Sequence, residues 1–154
     1  MKKTLMLILI LISVVANAGE NAPWVDMMNC PVCKNVSSED GLMENMTWEH
    51  HLTATGLMTV STVKPAFQSK FVRAKAGMKK MIDKFMSGEE MDLCEYCTSV
   101  TSLLKKGVTS EIITTHGADV MLISSTDKDM IEKIHAHGQK TIDFLNPVHT
   151  GHEH

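Results

Sequence analysis

The sequence is poor in aromatic residues and has no excess of positive charge. Aromatic residues make up 5% of the 154 residues, and only one of them is a tyrosine. Lys and Arg number 15 against 18 Asp and Glu, and the resulting net charge of −3 argues against a nucleic-acid partner. Glycine-rich phosphate loops, HExxH pairs and nucleophile elbows do not occur, which leaves nucleotide-binding and hydrolytic functions without support. Sulfur, in contrast, is abundant, with 13 Met and 4 Cys.

The first 18 residues have the pattern of a secretory signal peptide. Lys2 and Lys3 precede the apolar run 5–15, and residues 16–18 (ANA) supply the small residues of a cleavage site. This apolar run is short of the about 20 residues that span a bilayer. We therefore expect residues 1–18 to be removed, giving a periplasmic or secreted protein that is not an integral membrane protein. Thiols in these compartments are normally oxidised or bound to metal.

The four cysteines form two CxxC pairs that are separated by 64 residues. Cys30 and Cys33 lie in CPVC, and Cys94 and Cys97 lie in CEYC. The spacing of apolar and polar residues predicts the same order of elements after each pair, namely helix, strand, strand and helix. In the first half these are a helix-compatible stretch at 34–45, strands at 47–55 and 57–63, and an amphipathic helix from Pro65 to about residue 86. In the second half they are a helix at 98–106, strands at 108–115 and 120–123, and a helix from Asp127 whose apolar face is Met130, Ile131, Ile134, Ile142 and Leu145.

The repeated order predicts an α+β fold with two αββα-like halves. These halves would form one antiparallel four-stranded sheet with the helices packed on one face. We expect a single domain over 19–148, with half-repeats at about 28–87 and 92–146, followed by a histidine-containing tail at 149–154. Matching residues, Thr47 with Thr109 and Glu49 with Glu111, favour an internal duplication. A chance recurrence of a common order of elements is the alternative.

Two thiolates in a CxxC pair can bind one ion, because a turn brings both sulfurs to the same side. The leading prediction is therefore that copper or zinc is bound by Cys30, Cys33, Cys94 and Cys97, as one ion at each pair or as one ion shared by all four sulfurs. The protein would be an exported, non-catalytic binder for metal storage, delivery or protection, and its partner would be the metal ion or another envelope protein.

Three other interpretations of the cysteines stay open. The pairs are structural disulfides in a partner-binding domain, inert thiols, or a redox-active dithiol at Cys30 and Cys33. The redox interpretation would make the protein a thiol–disulfide oxidoreductase. It is weakened by Pro31, which takes the second place of the motif rather than the third, where the thioredoxin pattern has a proline.

The run 28–33 (MNCPVC) resembles the M-x-C-x-x-C loop of heavy-metal-associated domains, which have a ferredoxin-like fold. The order of helix, hairpin and helix that follows is also similar to theirs, and so is the stretch 104–139. The resemblance implies that Cys30 and Cys33 are copper or zinc ligands, with Met28 beside them. Cys94 and Cys97 would match in the second half, where Asp92 replaces the methionine.

Histidines and methionines supply further candidate ligands. His149, His152 and His154 lie close enough in sequence to chelate a divalent cation, although a solvated tail is the simpler interpretation. The rings of His50 and His51 would point to opposite faces of a strand, one exposed and the other partly buried. His135 and His137 are expected at the surface. Most other methionines fall on predicted core faces and are expected to fill the core.

Overall fold

The computed structural model describes residues 22–115 and 117–146. The predicted signal peptide and the histidine-containing tail lie outside the described residues. The first half contains α1 (Lys34–Ser37), β1 (Met46–Thr53), β2 (Gly56–Val63) and α2 (Gln68–Met86), with short 3-10 turns before β1 and α2. The second half contains α3 (Glu95–Lys105), β3 (Thr109–Thr114), β4 (Ala118–Ser124) and α4 (Lys128–Leu145). In the part of the chain that the structure describes, none of these helices is long and apolar enough to cross a membrane.

The four strands form one antiparallel sheet in the order β1-β2-β4-β3, which confirms the predicted α+β arrangement. The two hairpins have equivalent registers. Thr47 pairs with Thr62 in the first hairpin, and Thr109 pairs with Ser124 in the second, so both strands are related by an offset of 62 residues. At the centre of the sheet Thr59 pairs with Met121, which has the same offset. The sheet is therefore arranged about an approximate twofold axis between β2 and β4, while gene duplication itself stays a prediction.

The second half places its last helix on the first hairpin. Ile134 of α4 is fully buried in one core cluster with Leu57 of β2. A Cβ atom at Gly138 would lie 2.7 Å from Leu52 of β1, so glycine allows the helix to approach the strands closely. The ring of His135 also contacts the carbonyl oxygen of Thr53 at 2.9 Å. This core is therefore shared between the two halves.

The last helix of the first half packs mainly against its own half. Phe71 and Ala74 of α2 form a buried cluster with Val36 of α1 and Val63 of β2. Arg73 of α2 makes two hydrogen bonds to the carboxylate of Glu39, at 2.9 and 2.6 Å. Neither helix covers the edge strand β3, all six residues of which are exposed.

Three local expectations from the sequence are wrong. The stretch 34–45 is α-helical only over Lys34–Ser37, and it turns at Gly41, which has a positive φ of 70°, before the short 3-10 helix at Met43–Asn45. Helix α3 begins inside the second CxxC motif rather than after it. On α4, Leu145 is 37% exposed, since the helix buries Ile134, His137, Gly138 and Thr141 instead.

Candidate metal centre

The first cysteine pair lies in a turn that is held by local hydrogen bonds. The carboxylate of Asp26 accepts the backbone N–H groups of Met28 and Asn29, at 2.9 and 2.8 Å, just before Cys30. The backbone N–H of Lys34 then donates to the carbonyl oxygen of Cys30 at 3.0 Å, which closes the CPVC turn. Cys33 is the N-cap residue of α1. These bonds direct both thiols of the first pair to the protein interior, where each is buried.

The second cysteine pair lies at the beginning of α3. Cys94 is the N-cap residue, and Cys97 lies in the first turn of the helix. The carbonyl oxygens of Pro23 and Trp24 accept the backbone N–H groups of Glu95 and Tyr96, at 3.3 and 2.8 Å. Residues 23–24 therefore satisfy amide donors that a helix terminus leaves without intrahelical partners. The beginning of the described chain is joined in this way to the second half.

The four thiols converge in one buried group. All four sulfur atoms lie within 4.8 Å of one another. Cys33 Sγ lies 3.4 Å from Cys97 Sγ and 3.7 Å from Cys94 Sγ. These separations are longer than the about 2.05 Å of a disulfide bond, and all four cysteines are free. The arrangement is compatible with a metal site to which each half contributes two ligands.

The surroundings of the thiols are apolar. The exposed fraction of each cysteine is between 1% and 6%, so water has little access to the sulfurs. The cluster is packed by side chains from the N-terminal segment, α2 and the start of α3, namely Val25, Met27, Met78, Met81, Ile82, Leu93 and Tyr96. A closed, dry, four-cysteine site is typical of structural rather than catalytic metal centres, which keep a coordination position open for water or substrate.

The four thiols strongly perturb one another's pKa values. Hydrogen bonds from Cys33, and then from Cys94 and Cys97, lower the pKa of Cys30. The same network raises the pKa of Cys97, with the contact to Cys30 as the largest cause. Four neighbouring thiols cannot all ionise, because each further thiolate would be buried beside existing negative charge. A bound cation would remove this restriction and replace the remaining protons.

A buried aromatic group lies beside the second cysteine pair. The ring of His137 packs between Trp24 and Tyr96, with ring centroids 5.4 and 5.0 Å away. Its Nδ1 atom contacts the Ser99 hydroxyl at 3.0 Å. Burial, with a smaller effect of His50, lowers the pKa of His137 to about 4. The expectation of a surface histidine at this position is therefore wrong. The sequence signal for its burial is the spacing of Ile134, His137 and Thr141, which places all three on one helix face.

The other candidate ligands are not part of the buried group. Met28 is 76% exposed, whereas its neighbour Met27 packs against the cysteines. His50 is partly buried and His51 is exposed, as the strand alternation predicts. His149, His152 and His154 lie outside the described residues.

Comparisons of the chain with known protein families, with curated proteins and with solved structures find no match. The resemblance to heavy-metal-associated domains therefore stays a prediction. The interpretation of the site depends on its own geometry and on the chemistry of its donor atoms.

Proposed function

We propose that the mature chain is an exported metal-binding protein in which Cys30, Cys33, Cys94 and Cys97 hold a single zinc ion. The observation that carries this proposal is the convergence of four buried sulfurs within 4.8 Å of one another. A tetrahedral zinc ion with Zn–S bonds of about 2.3 Å has sulfur–sulfur edges of about 3.8 Å. The sulfur–sulfur separations of 3.4 and 3.7 Å are close to that value, so small shifts would complete the coordination.

Zinc is favoured over copper by the number and arrangement of the ligands. Thiolates bind both Zn(II) and Cu(I), but a tetrahedral set of four sulfurs is the geometry of zinc and iron–sulfur sites. Copper is supported by one other observation, since Met27, Met78 and Met81 pack against the cysteines and carry soft thioether sulfurs. We assign these methionines to the apolar wall of the site, where their flexible side chains fill space.

The role of the ion is to join the two halves. Each half contributes two cysteines, and all four lie in buried positions, so an ion with this ligand set has no open position for a substrate. The protein is accordingly a binder without catalytic activity of its own. Binding energy at such a site adds to the free energy of folding, because the unfolded chain does not present the four ligands together.

Native mass spectrometry of the reduced protein tests this proposal. We expect a mass increase of one zinc ion per chain, retained when equimolar Zn(II) and Cu(I) are offered together. Cys94→Ser should lose the ion, whereas Met28→Ala should retain it, because the Met28 side chain is exposed. A chain that carries no metal after reduction and reconstitution would exclude the proposed function, and a chain that takes up Cu(I) alone would replace zinc by copper.

A further inference from the structure

The two halves of the chain contact each other directly through the thiols of Cys33 and Cys97. Their sulfurs are 3.4 Å apart, and the residues are separated by 64 positions in the sequence. Cys33 is at the N-cap of α1, and Cys97 is in the first turn of α3. A disulfide bond requires a sulfur separation of about 2.05 Å. The two atoms therefore need to approach by about 1.4 Å to form that bond.

We propose that oxidation of the site forms a disulfide between Cys33 and Cys97, across the two halves, and releases the metal ion. The inference rests on the proposed function, because it describes how the occupancy of that site is controlled. It differs from the usual expectation for a CxxC motif, in which the two cysteines of one motif are oxidised together. Here the second cysteine of each motif contacts the second cysteine of the other, since Cys33 and Cys97 are 3.4 Å apart, and this contact determines which two sulfurs form the bond.

The chemistry balances with a peroxide as the oxidant. One thiolate attacks a peroxide oxygen, the O–O bond breaks, and the sulfur becomes a sulfenic acid while hydroxide leaves. The second thiolate attacks that sulfur, the S–S bond forms, and a second hydroxide leaves. Two protons convert the two hydroxides to water, so two thiolates and one hydrogen peroxide give one disulfide and two waters. The metal loses two of its four ligands in this reaction, and two thiolates alone hold it much less tightly.

The cross-half disulfide also preserves the connection that the ion provided. A disulfide inside CPVC or inside CEYC would join residues three positions apart, and no cross-link would connect the two cysteine pairs after the ion has left. A bond between Cys33 and Cys97 instead closes a long loop, which constrains the unfolded chain. The oxidised protein should therefore stay folded after the ion has left.

Digestion with trypsin distinguishes a disulfide between the two motifs from disulfides within them, because cleavage after lysine places each motif on its own peptide. One tryptic peptide ends at Lys34 and contains Cys30 and Cys33, and another spans 85–105 and contains Cys94 and Cys97. The test is to treat the zinc-loaded protein with hydrogen peroxide, follow zinc release with a chromogenic chelator, alkylate the free thiols and digest without reductant. We expect one zinc released per cross-link formed and a major product in which the two peptides are joined and lighter by two hydrogens.

Variants identify which sulfurs react. Met28→Ala, the control, should release zinc and give the cross-linked peptides as the unsubstituted protein does, because the Met28 side chain is exposed. Cys33→Ser and Cys97→Ser, oxidised in the metal-free form beside metal-free unsubstituted protein, should each reduce the yield of cross-linked peptides severalfold. Two separate peptides, each lighter by two hydrogens, would overturn the proposed pairing, and a cross-link without zinc release would overturn the proposed control of the site. Both outcomes differ from failure of the proposed function, in which the reduced protein carries no zinc before peroxide is added.

Discussion

The two halves of the chain share an order of elements but differ in how their hairpins are covered. The first hairpin, β1–β2, lies beneath α4 of the second half, with Leu57 and Ile134 in a common buried cluster. The second hairpin has an edge strand whose residues are all exposed, and Ile112 is 64% exposed there. Equivalent strand registers therefore do not imply equivalent burial. A strand residue is buried where a helix packs over it, and it is exposed where none does.

The largest effect is expected at the one feature to which both halves contribute equally, the cysteine cluster. Cys33→Ser and Cys97→Ser should each abolish stoichiometric metal binding and lower the free energy of unfolding by more than about 3 kcal/mol, because the ion's binding energy is part of the folding energy. Equilibrium unfolding in urea, with zinc and with chelator present, measures both effects. Loss of binding in only one of the two variants would contradict a site shared between the halves.

The turn glycines of the two hairpins give a matched pair of substitutions. A Cβ atom at Gly56 would lie 1.9 Å from the backbone oxygen of Ile123, so Gly56→Ala requires β2 and β4 to separate. We expect a loss of about 3 kcal/mol. A Cβ atom at Gly117 meets nothing within 4 Å, so Gly117→Ala should change the stability by less than about 1 kcal/mol. Thermal denaturation of both variants measures the difference, and equal melting temperatures would refute the account of the close approach.

Two isoleucines test the unequal covering of the sheet directly. Ile134→Ala removes a fully buried side chain between α4 and the first hairpin, and should cost about 3 kcal/mol. Ile112→Ala removes a side chain that is mostly in water, and should cost less than about 0.5 kcal/mol. Chemical denaturation at neutral pH compares the two. A large loss for Ile112→Ala would show that the second hairpin is covered in solution.

The smallest effect concerns the buried histidine beside the second cysteine pair. His137 has a folded-state pKa of about 4 against 6.5 for a free histidine, because burial disfavours the charged ring. Above pH 6.5 both states are neutral and the group has no effect. As the pH falls from 6.5 towards 4, only the unfolded state takes up the proton, so stability decreases.

Between pH 7.5 and pH 5.5 this contribution amounts to about 1 kcal/mol. In His137→Phe, which preserves the packing between Trp24 and Tyr96, the difference in unfolding free energy between the two pH values should be smaller than in the unsubstituted protein by that amount. Unfolding of both proteins at the two pH values provides the comparison. An unchanged pH dependence in the variant would mean that His137 is accessible to protons in the folded state.

The regular elements of the fold are predictable from the sequence because their signals are local. The recurrence of Phe71, Ala74 and Met78 at three- and four-residue steps predicts α2, and Gly56 marks the turn of the first hairpin. Asp127 is the N-cap residue of α4, with its carboxylate accepting the backbone N–H of Met130 at 2.9 Å. The four candidate ligands are likewise visible as two CxxC motifs.

The remaining features depend on contacts between distant parts of the chain. The spacing of the CxxC motifs does not reveal that both pairs meet in one cluster, nor that residues 23–24 supply acceptors to α3. The burial of His137 arises from Trp24 and Tyr96, which lie far from it in sequence. The chain also turns at Gly41 after α1, where the backbone is left-handed, and the neighbouring Leu42 lies in a core cluster with Val63 and Phe71.

X-ray absorption at the zinc edge of the purified, reduced protein tests the central claim most directly. The account predicts one zinc ion per chain with four sulfur neighbours at about 2.3 Å and no nitrogen or oxygen in the first coordination sphere. A coordination sphere that contains nitrogen or oxygen, or fewer than four sulfurs, would contradict a site built from both cysteine pairs.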